Sequence, residues 1–489
     1  MSESKGMQRR LGLLDATMIV AGSMIGSGIF IVSADIGRTV GSAGWLLMAW
    51  VVAGLVTLTA ALSYGELAGM MPEAGGQFVY IRRAFGKLTS FLYGWTVFMV
   101  IQTGVIAAVG VAFAKYTAVL IPEVGMGDQN ILFHIGTFSV KAGQLVSVGV
   151  IMLLTVVNLY GVKNGSRLQV IFTSAKLLAL LALIVLGIGV GMGNGTLAQN
   201  FSDAWSASQT VKNEAGEWVT SSLGGFALVL ALGSAMIGSL FSSDAWNNVT
   251  FIAGEIKDPS KNIPRSLFLG TLIVTILYVL ANVAYLSLLP VHGVPDAAAG
   301  VVEQGIQFAS YDTDRVGTSA AMLIFGDPAI IMMAVLIMIS TFGCNNGLIL
   351  AGARLFYAMA KDGLFFKKAG ALNRHGVPGN ALIFQGIWAS ILCFSGTYGD
   401  LIEYATFASL VFYMVTIAGI FVLRKREPDV PRPYKAFGYP VIPALYILVT
   451  LFICVCLLID RTESCVASLI IVAVGLPVYF LFNMRRKTG

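Results

Sequence analysis

Apolar residues in this chain gather into stretches of about 20, separated by short polar loops, and the alternation runs from one end to the other. Twelve such segments fall at about 12–33, 41–65, 88–118, 141–160, 168–192, 223–254, 266–290, 321–358, 379–397, 402–423, 437–459 and 466–484. As a helix, each spans a hydrocarbon core roughly 30 Å thick, so the pattern predicts an all-α polytopic membrane protein with helices 1–12. The segments at 88–118, 223–254 and 321–358 exceed one span, which implies tilt, a break or an extension beyond the bilayer. Composition agrees: of 489 residues, 57% are hydrophobic and 11% charged, and the mean hydropathy of +0.82 lies far above that of a soluble globular chain.

Two segments are punctuated. Residues 21–30 read AGSMIGSGIF, with Gly22, Gly26 and Gly28 inside an apolar run. Each glycine weakens a helix interior by about 1 kcal/mol relative to alanine, so helix 1 is built to open. Five segments later, residues 233–248 read GSAMIGSLFSSDAWNN, again small residues in an apolar run and now with an acid among them. Small residues also serve close helix packing. Two interrupted helices in corresponding places, however, mark a site at the bilayer midplane of an inverted repeat, because broken backbone is tolerable only in a cavity or buried in protein. A half-helix starting near Gly28 would aim amides and its positive dipole end at a carboxylate, with Ser27 as hydroxyl donor. Carbonyls freed around Phe241–Ser243 would accept from an ammonium. An amino acid carries both charges on one carbon.

Charge sets the expected orientation. Arg9, Arg10, Arg82, Arg83, Lys87, Lys163, Arg167, Lys257, Lys261 and Arg265 fall between segments on one side, followed by Lys361, Lys367, Lys368, Arg374, Arg424–Arg426 and Arg485–Lys487. The other side is poor in them, with isolated residues such as Lys141, Lys212, Arg315 and Arg461. Both termini are therefore expected in the cytoplasm. The net charge of +6 is a topology signal, and no nucleic-acid partner is implied. Cys344, Cys393, Cys454, Cys456 and Cys465 lie in or at the ends of segments without metal-ligand spacing, so they read as packing residues and no metal or cofactor is expected. The first apolar stretch lacks the cleavage site of a signal peptide.

GSGIF at 26–30, YGELAGMMPEAGGQFVY at 64–80, NLYGVKNGSRLQ at 158–169 running into SAKLLALLALI at 174–184, WNNVTFIAGEIKDPSKNIPRSL at 246–267, YVLANVAYLSLLP at 278–290 and GLPVYF at 475–480 span nearly the whole chain. Together they resemble the amino acid/polyamine/organocation (APC) superfamily of transporters, in particular its L-type amino acid transporter (LAT) light-chain branch. The resemblance implies a LeuT-type 5+5 inverted repeat with unwound helices 1 and 6, plus two C-terminal helices. That divides the chain into a transporter core at 1–423, with repeats at about 12–192 and 223–423, and helices 11–12 with the tail at 424–489. It places the carboxylate turn on Ser23, Gly26, Ser27 and Gly28, and amino-group contacts on Phe241, Ser242 and Ser243. Phe241 falls on the aromatic gate, Trp246 and Asn247 lie near the site, and Tyr278 and Asn282 on helix 7 are second-tier candidates.

Two intramembrane charges stand out. Lys176, in SAKLLALLAL, either snorkels to the interface or marks a pathway, counter-ion or proton site. The resemblance implies that it replaces the sodium of related carriers, bracing helix 5 against the opened helix 1 and helix 8 near Ser340 and Thr341. Asp244 has four readings: contact with a cationic substrate, help in holding the α-ammonium, pairing with Lys176, or a protonated acid. Glu66 and Glu255 are expected in ion pairs with basic residues of the same side, such as Arg82 and Lys257, which could also close the inner gate. The basic loop 360–376 is expected to touch anionic lipid.

No GK[ST] loop, histidine cluster or Ser-His-Asp arrangement is present, so an enzyme is not expected. The expectation is a sodium-independent amino acid transporter working by alternating access, an exchanger (antiporter) of neutral and/or cationic L-amino acids. A proton-coupled amino acid or polyamine symporter, using Lys176 or Asp244, is the alternative, and a nutrient-sensing receptor is a more remote one. The loop at 119–140 has no cysteine, so no disulfide-linked heavy chain is expected and a bacterial inner membrane is the expected home.

Overall fold

The computed structural model describes residues 9–135, 138–311, 313–395 and 398–487. Among these, eleven helices are long and apolar enough to cross a membrane. The count differs from twelve at helix 9, which forms only over Gly379–Leu392, 14 residues, about 21 Å at 1.5 Å per residue. Pro378 lies just ahead of its first turn, and the amides of Phe394 and Ser395 fold back onto Ile391 and Leu392 to end it. The long eighth segment is two helices, Val316–Phe325 and Pro328–Lys361. The break sits at Gly326, with φ at +69°, two residues before Pro328. Glycine takes the left-handed conformation without strain and proline opens a new helix, so Gly-Asp-Pro is a stop followed by a start.

Helix 3 (Lys87–Leu120) runs unbroken through a π turn at Val97–Ile101. It forms the centre of the bundle: 83% of its most apolar window is buried, against 17% for helix 12 (Thr462–Phe482). Helices 2 (Ala43–Met70) and 7 (Pro259–Leu288) pack with Trp50 edge-on to Tyr278, ring centroids 5.3 Å apart. The expected all-α class needs one correction. Two antiparallel hairpins, Ile131–Ile135 with Phe138–Lys141 and Ser208–Lys212 with Trp218–Ser222, fill the loops after helices 3 and 5.

The two-sided division of charge appears as contacts. Leu11 bridges to Ile256, Glu66 meets Arg424 and Arg432, Arg82 meets Asp362, and Arg83 meets Glu427, all joining the Lys- and Arg-rich loops. Arg38–Asp314, Lys141–Asp128 and Arg461–Glu403 join loops of the opposite face. The side chains of Lys163, Arg167 and Arg485–Lys487 lie outside the described residues.

Candidate functional site

Helix 1 stops at Met24 and restarts at Gly28, leaving Ile25–Ser27 non-helical. A helix end exposes four carbonyls that need donors, and here the protein supplies them all. Ala21 O accepts from the Ile25 amide at 3.0 Å. Lys176 Nζ donates to Gly22 O at 2.6 Å and to Ile25 O at 2.5 Å. Cys344 Sγ donates to Ser23 O at 3.0 Å, and the Tyr278 hydroxyl to Met24 O at 3.1 Å. Ser340 Oγ lies 3.3 Å from Ile25 O and 3.1 Å from Gly26 O. Donors from helices 5, 7 and 8 thus converge on one opened turn.

The amide side of the break is different. Phe30 N–H bonds to Ser27 O and Val32 N–H to Gly28 O, but among the described residues nothing accepts from the amides of Gly26 or Gly28. Ser23 Oγ is buried there without a partner. Capped carbonyls beside open amides at a helix N-terminus make a turn suited to an anion.

Helix 6 runs Gly225–Ser242, opens over Ser243–Asn247 and resumes at Asn248–Phe251. Ala245 sits at φ +63°, a conformation that costs a non-glycine residue energy and is held by its surroundings. Its freed carbonyls are more occupied than expected. Phe241 O accepts from the Asp244 amide at 3.0 Å and Ser242 O from the Tyr278 hydroxyl at 2.9 Å, while Ser243 O has no partner among the described residues. Ser242 Oγ turns back to Gly238 O. Tyr278 therefore lies on both breaks with one proton to share between Met24 O and Ser242 O. The breaks also touch directly: a Cβ on Gly28 would lie 2.1 Å from Ser242 Oγ, so only glycine permits the approach.

Asp244 does not pair with Lys176, whose ammonium is turned to helix 1. Its Oδ1 accepts from the Tyr413 hydroxyl of helix 10 (Tyr398–Arg426) at 2.5 Å. Tyr413 also reaches Asn247 Oδ1 at 3.3 Å, Asn247 donates to Gln77 Oε1 at 2.8 Å, and Tyr93 donates to the same oxygen at 2.9 Å. Two small cavities of about 20 Å³ each flank Asp244, the first lined by Gln77, Tyr93, Gln102 and Asn248, the second by Thr57, Trp246 and Tyr446. Neither is lined by the helix 1 turn.

The remaining candidates separate by position. Phe241 and Trp246 are buried beside the opened stretch, and Trp246 stacks edge-on against Tyr64 at 4.7 Å. Asn282 ties Ser33 Oγ at 2.6 Å to helix 7, so it anchors the stretch that follows the break in helix 1 and is not in the turn. Thr341 spends its hydroxyl on Ile337 O of its own helix and is not brought to the break. Tyr413, Gln77 and Tyr93 were not singled out from the sequence, and Cys344, read there as a packing residue, donates to the opened turn instead. The available signal was a polar group at bilayer depth in an apolar run, as with Tyr413 at the centre of segment 10.

Both faces around the breaks are tied shut. On one, Arg38 forms a bidentate pair with Asp314 at 2.7 and 2.8 Å. Burial pulls the Arg38 pKa down, but the Asp314 hydrogen bond and charge outweigh it and hold the group above its ordinary value. On the other, Glu255 pairs not with Lys257 but with Arg354 of helix 8 at 3.0 Å, both side chains buried. Glu66 likewise pairs with Arg424 at 2.6 Å and Arg432 at 3.2 Å, leaving Arg82 to Asp362. The reason is reach: each acid is buried, and an arginine from elsewhere in the bundle is the cation that packing brings to it, two arginines with three hydrogen bonds at Glu66 and a single Arg354 Nε contact at Glu255.

These features define a polytopic helical membrane protein whose first and sixth helices are interrupted and meet at their breaks. A family profile described as amino acid permease matches residues 11–482, and the chain belongs to that family of transporters. It is 32% identical over 481 residues to the human large neutral amino acids transporter small subunit 2, covering 97% of this chain and 80% of that protein. The mouse b(0,+)-type amino acid transporter 1 is 28% identical over 486 residues, covering 98% of this chain and 89% of that protein. The serine/threonine exchanger SteT of Bacillus subtilis (strain 168) is 28% identical over 490 residues, end to end on both chains.

Proposed function

We propose that this chain is a sodium-independent exchanger of neutral and/or cationic L-amino acids, working by alternating access. The observation that carries the reading is the asymmetry of the helix 1 turn: its carbonyls are capped by protein donors while the Gly26 and Gly28 amides are open. The substrate carboxylate docks on those amides with Ser23 and Ser27, and its ammonium on the opened carbonyls from Phe241 to Ser243, of which Ser243 O is open. Phe241 closes over it, and Lys176 does the work of a bound cation by donating to Gly22 O and Ile25 O. Exchange follows if the empty carrier leaves these amides unsatisfied in a low-dielectric site, which raises the barrier to its return. The relatives' names support the breadth of substrate, and one of them is itself an exchanger.

The same reading gives a LeuT-type core over 1–423 with helices 11 and 12 appended, both termini in the cytoplasm, and a carrier in a bacterial inner membrane without a disulfide-linked heavy chain. The last point rests on the loop at 119–140, which has no cysteine. One observation favours proton coupling as a second reading: Asp244 bonds a phenol and has no cationic partner among the described residues. Uptake of labelled alanine, leucine and arginine into sodium-free proteoliposomes separates the two. Dependence on internal amino acid, indifferent to a proton gradient, supports exchange; proton-driven uptake into empty vesicles refutes it.

A further inference from the structure

Away from the broken helices, a cavity of about 400 Å³, open to solvent, lies on the Lys- and Arg-rich face. Arg424, Pro428, Val430, Arg432 and Lys435 line it, on the end of helix 10 and the segment leading to helix 11 (Val441–Asp460). Three cations therefore surround one space. Arg424 and Arg432 share one carboxylate, that of Glu66 near the end of helix 2, which also accepts from the Ala436 amide at 2.7 Å. Glu427 is drawn away to Arg83 at 2.6 Å, and Asp429, on the same segment, does not line the cavity. Arg432 spends its donors on Glu66 and backbone carbonyls, while Lys435 is exposed and has no ion-pair partner among the described residues. The cavity keeps an excess of positive charge with a free ammonium at its mouth.

A second feature says what kind of anion it takes. Phe437, two residues from Lys435, is 65% exposed, and Val441, Leu445 and Leu448 are 67%, 50% and 64% exposed. The last three recur at helical spacing, forming an apolar strip along one face of helix 11, which begins at Val441, shortly after the cavity-lining Lys435 in the chain. A free phosphate uses the cations alone. A lipid uses both, its headgroup against the cations and its chains along the strip.

We propose that this cavity binds the anionic headgroup of a membrane phospholipid, with acyl chains on the Val441–Leu448 face. Because Arg424 and Arg432 also grip Glu66, the bound lipid joins helices 2, 10 and 11 at their basic ends. The test is the thermal unfolding midpoint of the full chain in neutral detergent, titrated with short-chain phosphatidylglycerol, short-chain phosphatidylcholine or inorganic phosphate. Phosphatidylglycerol should raise the midpoint saturably, and the other two should not. Lys435→Gln should weaken the half-saturating concentration about fivefold, the weight of one surface cation, and Lys435→Arg should restore it. The pair Lys257→Gln and Lys261→Gln, exposed on another basic loop of the same face, should leave it unchanged. An equal shift with phosphatidylcholine, or an unaltered titration in Lys435→Gln, overturns the proposal. So does an equal loss in the Lys257/Lys261 pair, which would make it general surface charge. A shift by inorganic phosphate at the same concentrations would make it a free-anion site and refute the lipid.

Discussion

Replacing Gly28 by alanine adds a single methyl group where the two broken helices meet. That carbon would lie 2.1 Å from Ser242 Oγ, 2.9 Å from Ser242 Cβ and 3.3 Å from Ser242 Cα, whereas ordinary carbon contacts begin at roughly 3.5 Å. Rotating the hydroxyl aside relieves only the first contact. The other two require the backbone of helix 6 to retreat, and that backbone is pinned by Tyr278 through Ser242 O. Overpacking of this kind costs about 1–3 kcal/mol, and the displacement falls on the turn that carries the Gly28 amide. The thermal midpoint in detergent and alanine exchange in proteoliposomes should therefore both drop. Adding Ser242→Gly removes Oγ and Cβ, so the double variant should recover, with an interaction energy of about 0.5–3 kcal/mol in a double-mutant cycle. A Gly28→Ala protein that unfolds and exchanges like the wild type, or a Ser242→Gly background that gives no recovery, would refute the contact between the breaks.

The other predictions probe separate parts of the site. Gly26→Leu should abolish substrate binding, measured by equilibrium binding of labelled alanine, because its side chain grows from a Cβ already 3.3 Å from Cys344 Sγ into the amide turn. Lys176→Ala leaves Gly22 O without a donor and Ile25 O with Ser340 alone, an unsatisfied buried carbonyl worth about 1–3 kcal/mol; turnover should slow more than binding weakens, and unchanged turnover would reassign the lysine to packing. Asp244→Asn should lower arginine relative to alanine uptake by about tenfold, one contact of 1.4 kcal/mol, and an unaltered ratio would remove Asp244 from substrate selection. Arg354→Met should lower stability by about 3–5 kcal/mol by stranding buried Glu255, and adding Glu255→Met should recover most of it in the same thermal assay.

How much of this was legible beforehand differs by element. The long apolar helices and both breaks follow from local chemistry: glycine and serine in an apolar run weaken a helix wherever it sits, and the opened stretches fall at Ile25–Ser27 and Ser243–Asn247. The split of segment 8 was equally local, written in Gly326-Asp327-Pro328, but hidden by the hydropathy of its flanks. Helix 9 was read too long because its apolar composition continues past the turn that ends it. Partners were another matter. Glu255 was matched with nearby Lys257, yet its charge is met by Arg354, 99 residues on. Asp244 was given Lys176 as a possible partner and meets Tyr413 instead.

The sequence by itself determined the number and order of apolar helices to within one and the two places where helices must open, and it grouped on one face the basic loops that the described residues join. Those properties depend on residues close in the chain, through backbone propensity and the cost of placing charge in hydrocarbon. Only the tertiary structure decided which groups meet at those openings. The lysine, cysteine, tyrosine and serine that cap the helix 1 carbonyls come from three other helices, and the open amides of Gly26 and Gly28 become visible only once those donors are in place. Which polar group meets which inside a bundle is set by the packing of distant segments, and no local pattern encodes it.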